Sequence, residues 1–281
     1  MTSGPGDPAT VARHSPSTRH DPVVQTESIL GFPVTRMPLD ACLEQILSWS
    51  EDLAKSHYFV CANPHSLMVA EGDAGFRRAI LDADLIVPDG VGISWASRLL
   101  GGSIRDRVTG TDLFMAINRA LSGLPTGRCF FLGATPDTLE RIRMEMEKQF
   151  PGIHVVGWYA PPFSARFDHE ENERILRAIK EARPHVLWVG LTAPKQEKWI
   201  HEHRHRLDVP IIGPIGAVFD FFSGRVHRSS PFFQRLGLEW LPRLIRNPRR
   251  LWRRTVISAP RFLWKVACQR FFLFRGHIKG R

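Results

Sequence analysis

Asp89 follows the short apolar run Leu85-Ile86-Val87 within Pro88-Asp89-Gly90, and Val91 to Leu100 then resumes with helical spacing. An acid is thereby placed at the end of a buried strand, where the chain turns into a helix. In open parallel α/β sheets ligands bind outside the carboxyl ends of the strands. A plain turn with Gly90 would also account for this aspartate, so its neighbours must decide. Ala193-Pro194-Lys195-Gln196-Glu197-Lys198 opens another helix after a strand, with Pro in the first turn. That arrangement turns free backbone N–H groups, the positive end of the helix and two lysines toward one place. An ordinary capped helix with surface charges has the same local pattern. Arg105, Arg107 and Gly110 form a second basic loop, and Gly213 to Gly216 is backbone that can approach a ligand closely. Asp220 either joins that edge or pairs structurally. A carboxylate facing a phosphate-binding edge suits group transfer from a nucleotide-activated donor: the acid takes a proton from an acceptor hydroxyl while cations stabilise the departing diphosphate.

Other chemistries are disfavoured. Gly90-Val91-Gly92 lacks the third glycine of a dinucleotide fingerprint, and neither a Walker-type lysine loop nor a G-x-S-x-G elbow occurs. His201, His203 and His205 share a helical segment in which only positions four apart lie on one face, so they read as solvated surface and no metal site is expected. Cys42, Cys61, Cys129 and Cys268 contain no C-x-x-C pair, which suits a reducing compartment.

The elements that must position these residues alternate along the chain. Ile29 to Val34 reads as a first strand and Leu39 to about Leu53 as a helix. Tyr58 to Ala62 is a second strand ending at Asn63, and Pro64 to Leu81 is helical with a break near Gly72 to Gly75. Thr111 to Leu121 is an amphipathic helix. Strand Cys129 to Leu132 ends at Gly133-Ala134-Thr135, where a helix to Phe150 opens. Strands at Ile153 to Gly157, Val186 to Gly190 and Pro210 to Gly213 continue the series, with helices Glu170 to Ala182 and Pro194 to Arg206. The expected class is α/β, a mostly parallel sheet with helices on both faces. The polar and glycine-rich segments fall after the strands, so a parallel sheet gathers them on one edge.

The chain has 281 residues, 43% of them apolar, ample for a core. Its net charge of +10 is uneven: fifteen of the 38 Lys and Arg lie from Arg225 to Arg281 against one of the 28 acids, Glu239, leaving 23 bases and 27 acids before them. Residues 1–27 lack an apolar core and read as a disordered leader, residues 28–224 as the α/β domain, and residues 225–281 as a basic helical appendage. No run of about 18 uncharged apolar residues is present to span a bilayer. Pro231, Pro248 and Pro260 each stand where a helix could begin, which implies three short helices in the tail. Their Phe, Trp and Leu residues, interleaved with Arg, suit helices lying on an anionic membrane surface; packing on the protein's own core is the competing reading. A third use, nucleic-acid binding by the tail, finds no recognition module in the body.

Five stretches together, ADLIVPDGVGISWASRLLGG, DRVTGTDLF, FFLGATPDTLERI, VGLTAPKQEKWI and GPIGAVFDFFSGRVHRSSPFFQRLGLEWLPRLIRNPRR, resemble the WecG/TagA/CpsF family of bacterial glycosyltransferases. The resemblance runs from Ile29 to Arg254. It implies a Rossmann-like fold and a metal-independent, inverting hexosyltransferase without cofactor. Such an enzyme moves a sugar (N-acetylmannosamine, its uronic acid or a glucose-type sugar) from a UDP donor to a polyprenyl-diphosphate-linked acceptor in surface-polysaccharide synthesis. Carried over by motif, Asp89 is the general base. Asn63, Arg107, Gly110 and Gln196 resemble the family's substrate-lining residues, and Cys61, Gly90, Gly133, Lys195, Gly216 and Asp220 on the same edge are the further candidates for substrate binding. The family's T-x-N is here Cys61-Ala62-Asn63, and a thiol donates a weaker hydrogen bond than a hydroxyl. Arg225, Arg228, Arg243 and Arg246 of the appendage are the candidates to reach the donor diphosphate or the membrane. The implied place is the cytoplasmic face of the inner membrane, peripherally bound, with no nucleic-acid partner and an oligomer left open. A non-catalytic sugar-nucleotide binding protein is the alternative.

Overall fold

The computed structural model describes residues 24–51, 55–225 and 257–279. Its centre is a six-stranded sheet, in spatial order β4-β3-β8-β7-β5-β6, in which every pairing is parallel. The strands are β3 (His57–Ala62), β4 (Leu85–Pro88), β5 (Gly127–Gly133), β6 (Ile153–Tyr159), β7 (Val186–Gly190) and β8 (Ile211–Pro214). All four residues of β4 and of β8 are buried, as expected for parallel strands covered on both faces. The α/β expectation holds, and the order shows what spacing alone does not: the last strand, β8, inserts between the first of the sheet, β3, and β7.

Two apolar layers sandwich the sheet. On one face lie α2 (Pro64–Gly72), α3 (Ala74–Leu81), α4 (Val91–Leu100), α7 (His169–Ala182) and α8 (Lys195–His203). On the other lie α1 (Leu39–Ser48), α5 (Gly110–Ser122), α6 (Pro136–Gln149) and α9 (Gly216–Phe222). Trp188 of β7 anchors the second layer. It is wholly buried, its indole Nε1 donates to Asn118 Oδ1 at 3.2 Å, and its ring leaves room only for glycine at position 213, where a Cβ would lie 2.4 Å from it. Because β3 feeds α2 on one face and β8 feeds α9 on the other, the sheet edge opens between them, the position of a ligand crevice in such folds.

Two expectations are corrected. The apolar run Ile29 to Val34 is not one strand but a hairpin, β1 (Thr26–Ile29) with β2 (Phe32–Thr35), turned by Leu30 and Gly31 at φ of 53° and 80°. β1 therefore includes Thr26 and Glu27 of the segment expected as a leader, and Ile29, Phe32 and Val34 are fully buried. The third tail helix, α10 (Ala259–Lys279), is long and packs on the body. Phe262 and Val266 enter the first apolar layer; Gln269 accepts from Leu30 N at 2.9 Å and donates to Ser28 O at 3.1 Å; and Lys265 pairs with Glu71 at 2.8 Å. Its other side exposes Leu263, Trp264, Phe271 and Phe272. Packing on the core and an outward apolar face thus coexist. The other two helices expected in the tail lie outside the described residues. Among the described residues no helix is long and apolar enough to cross a membrane.

Candidate active site

The ends of β3 and β4 are fixed to each other. Ala62 stands opposite Pro88, and the Asp89 N–H donates to Ala62 O at 2.8 Å. The Val108 N–H donates to Pro88 O at 2.8 Å, so the Arg107–Gly110 loop lies along the end of β4 as an extra segment. Asp89 is half-buried there, one residue before the N-cap of α4. That N-cap, Gly90, has φ of 91°, a conformation that favours glycine. A Cβ on Gly92 would meet Pro64 Cγ at 2.4 Å, so the N-termini of α2 and α4 abut closely. The α5 N-terminus joins them: a Cβ on Gly110 would stand 3.4 Å from Cys61 Sγ and 3.6 Å from Ile215. Capping boxes sharpen two of these ends, Asn63 with Ser66 on α2 and Thr109 with Asp112 on α5. Asp89 thus sits among three helix N-termini, whose partial positive charge favours a bound anion.

Cys61 faces this point from β3. Burial, and after it the charges of Asp89, Glu197 and Asp112, push its thiol well above the ordinary range. A thiol raised in this way is a poor nucleophile. Asn63 stands at the strand end as expected, with its side-chain oxygen taken by the Ser66 N–H at 3.0 Å. Arg107 is half-buried in the loop beside Asp89.

The β7–α8 and β8–α9 junctions build the adjoining wall. Gln196 is buried, its Oε1 accepts from the Gly216 N–H at 3.2 Å, and its Nε2 donates to Glu197 Oε1 at 2.9 Å. Gly216 is required by that approach, because a Cβ would lie 2.7 Å from Gln196 Oε1. Asp220 lies half-buried one helical turn further along α9. The two lysines expected to face the crevice are committed elsewhere, which corrects that reading. Lys195 Nζ donates to Ser164 O at 2.6 Å and lies 3.4 Å from the centre of the Phe167 ring, while Lys198 pairs with Asp73 at 3.0 Å. They brace the loop after β6 and the start of α3.

Further along the same edge, Gly133 has φ of 110° and would clash with Gly190 O if it carried a Cβ. Ala134 and Thr192, which follow the neighbouring strands β5 and β7, both adopt left-handed backbone at φ of 65° and 68°. Non-glycine residues in that region carry strain and cluster at functional sites. Arg225 Nη1 donates to Thr138 Oγ1 at 2.7 Å in the first turn of α6, which places its guanidinium at that helix N-terminus. Arg228, Arg243 and Arg246 lie outside the described residues. His201 pairs with Asp82 at 2.8 Å and His203 packs on Trp199, so this run is structural helix surface, and no cluster of metal-ligating side chains forms among the described residues.

Sequence reasoning gave Glu197 and Asp112 no role. Both are acids in the first turn of a helix, where an acid commonly serves the helix dipole, and only the fold brings them within electrostatic reach of Cys61.

The family model described as the glycosyl transferase WecG/TagA/CpsF family matches residues 27–276. The chain is 33% identical to an N-acetylglucosaminyldiphosphoundecaprenol N-acetyl-beta-D-mannosaminyltransferase of Bacillus spizizenii, covering 92% of this chain and 97% of the relative. It is 28% identical to the protein of that name in Bacillus subtilis (86% and 91% covered) and 26% identical to that in Staphylococcus aureus (85% and 91%). With its parallel sheet, its acid at the β4 end and a match over nearly its whole length, the chain belongs to the WecG/TagA/CpsF family of glycosyl transferases.

Proposed function

We propose that the protein transfers a hexosamine from a UDP-sugar to a polyprenyl-diphosphate-linked sugar, with Asp89 as the general base. The observation that carries this is the position of Asp89: one acid at the end of β4, encircled by the N-termini of α2, α4 and α5. The carboxylate accepts the proton of the acceptor hydroxyl, whose oxygen attacks the anomeric carbon of the donor. The bond from that carbon to the diphosphate oxygen breaks, and its electron pair leaves with UDP. A single displacement of this kind inverts the anomeric configuration. The N-termini of α2, α4 and α5 offer fixed positive charge to the departing diphosphate. The relatives named above act on an undecaprenyl-diphosphate-linked acceptor, which supports the lipid-linked acceptor for this chain.

A lipid-linked acceptor requires the crevice to work at a membrane surface, and this reading assigns the tail, residues 225–281, to that contact. In support, α10 exposes Trp264 at 66% and Phe272 at 69%, and the adjoining α4 exposes Trp95 at 55%. Arg270, exposed on the same helix, supplies a cation for anionic headgroups.

The test is UDP release from a panel of UDP-sugars given with a lipid-diphosphate-linked sugar in detergent, with and without EDTA. Turnover of one donor that survives EDTA is expected. Nucleotide binding without turnover on any acceptor would instead favour a sugar-nucleotide binding protein.

A further inference from the structure

Helix α10 begins where α2 begins. Ser258, the residue before α10, is 8% exposed, and its Oγ lies 2.9 Å from Nδ1 of His65 in the first turn of α2. The two helices then run side by side in the same direction, since Glu71 near the end of α2 meets Lys265 at 2.8 Å and Arg261 at 3.3 Å. α10 packs on α4 as well: a Cβ on Gly101, the glycine that ends α4, would lie 3.7 Å from Arg270 Nη1. Thus α10 spans the two helices whose first turns follow Asn63 and Asp89, and Ser258 stands at the crevice end of α2.

The His65–Ser258 contact is not what docks α10. Phe262 and Val266 in the first apolar layer, Lys265 with Glu71, and Gln269 with the hairpin already hold the helix. Nor is a histidine explained by α2 alone. Its first turn is closed by the Asn63–Ser66 capping box, and that part of a helix favours acids over a ring that can take a proton. What distinguishes the contact is where it acts. His65 is two residues from Asn63, and the intervening Pro64 abuts α4 so closely that a Cβ on Gly92 would lie 2.4 Å from its ring. Ala62, one residue before Asn63, accepts from the Asp89 N–H at 2.8 Å. A displacement of the α2 first turn is therefore passed to Asn63, to α4 and to Asp89 through direct contacts, because close-packed groups transmit strain.

We propose that His65 is a positioning residue for the transfer reaction: bonded to Ser258, it fixes the first turn of α2 against α10, and with it the placing of Asn63 relative to Asp89. This rests on the transferase reading above. The bond persists whether or not the ring is protonated, because the Ser258 hydroxyl can both donate and accept.

Initial rates of UDP release with a lipid-diphosphate-linked acceptor, UDP affinity by calorimetry, melting temperature and amide hydrogen exchange, all on the full chain, separate positioning from simple stability. His65→Ala and Ser258→Ala should each lower kcat about tenfold while KM for the UDP-sugar and Kd for UDP stay within about twofold. The melting temperature should shift by no more than about 4 °C, the effect of one hydrogen bond. The double variant should be no slower than either single one, since both remove the same contact. His65→Asn, whose amide takes the place of Nδ1, should restore most of the rate. Hydrogen exchange over residues 62–67 should quicken in both alanine variants and return to the wild-type pattern in His65→Asn. A wild-type kcat in His65→Ala, additive losses in the double variant, no rescue by asparagine, or equal losses of kcat and UDP affinity would each overturn the proposal with the transferase reading intact. If the wild-type chain releases UDP from no donor, that reading fails and this proposal fails with it.

Discussion

The crevice edge and helix α10 both combine positive charge with apolar surface, yet they are built in opposite ways. At the crevice, short polar side chains are tied to backbone: Asn63 and Thr109 cap helices, Gln196 reaches Gly216, and glycines 92 and 216 stand where a Cβ would press on a neighbour. On α10 one side is locked, through Phe262, Val266 and Gln269, and the other displays Trp264, Phe271 and Phe272 to solvent. A site for chemistry needs fixed geometry, whereas a surface for a fluid partner needs only area and charge of the right kind.

The sharpest way to break this comparison is on α10 itself. Phe262→Ala removes a wholly buried ring and should cost about 3 to 4 kcal/mol of stability, whereas Trp264→Ala, two residues on, should stay within about 0.5 kcal/mol in chemical denaturation. Equal effects would mean that the helix does not dock as described. Next in size is Glu197. Its carboxyl is raised from an ordinary value near 4.5 to about 7, so the folded state keeps a proton that the unfolded chain has lost, and stability falls as pH climbs from about 4.5 past 7. Glu197→Gln should therefore gain on the wild type by up to about 3 kcal/mol at pH 8 relative to pH 5. The smallest effect concerns the outer face. The double variant Trp264→Ala with Phe272→Ala should bind anionic vesicles about tenfold more weakly, with a melting temperature within about 2 °C of the wild type. Unchanged vesicle binding would remove α10 from the membrane contact.

Much of the sheet was legible because each β-α unit carries its own punctuation: an apolar run, a glycine or proline break, then helical spacing. Asp89 could be placed for that reason, since Pro88-Asp89-Gly90 marks the strand end by itself. The hairpin was hidden because Ile29 to Val34 is apolar at nearly every position, and the left-handed turn at Leu30 falls on a residue type that does not announce it. Lys195 was misjudged because its partners, Ser164 and Phe167, lie about thirty positions away and reach it only through the packing of the loop after β6 on α8. The insertion of β8 between β3 and β7 is likewise a tertiary fact, and with it comes the contact of Gln196 with Gly216. Glu197 shows the same limit from the other side, because burial decides whether an acid in a first helical turn is a surface charge or a buried carboxyl with a raised pKa.

The account stands on Asp89 as the base. The most direct measurement is the initial rate of UDP release with UDP-N-acetylmannosamine and a lipid-diphosphate-linked acceptor, for the wild type and Asp89→Asn, alongside UDP affinity and melting temperature. The account predicts a loss of about 10² to 10⁴ in rate with UDP binding and folding preserved. A variant that turns over at the wild-type rate would contradict it.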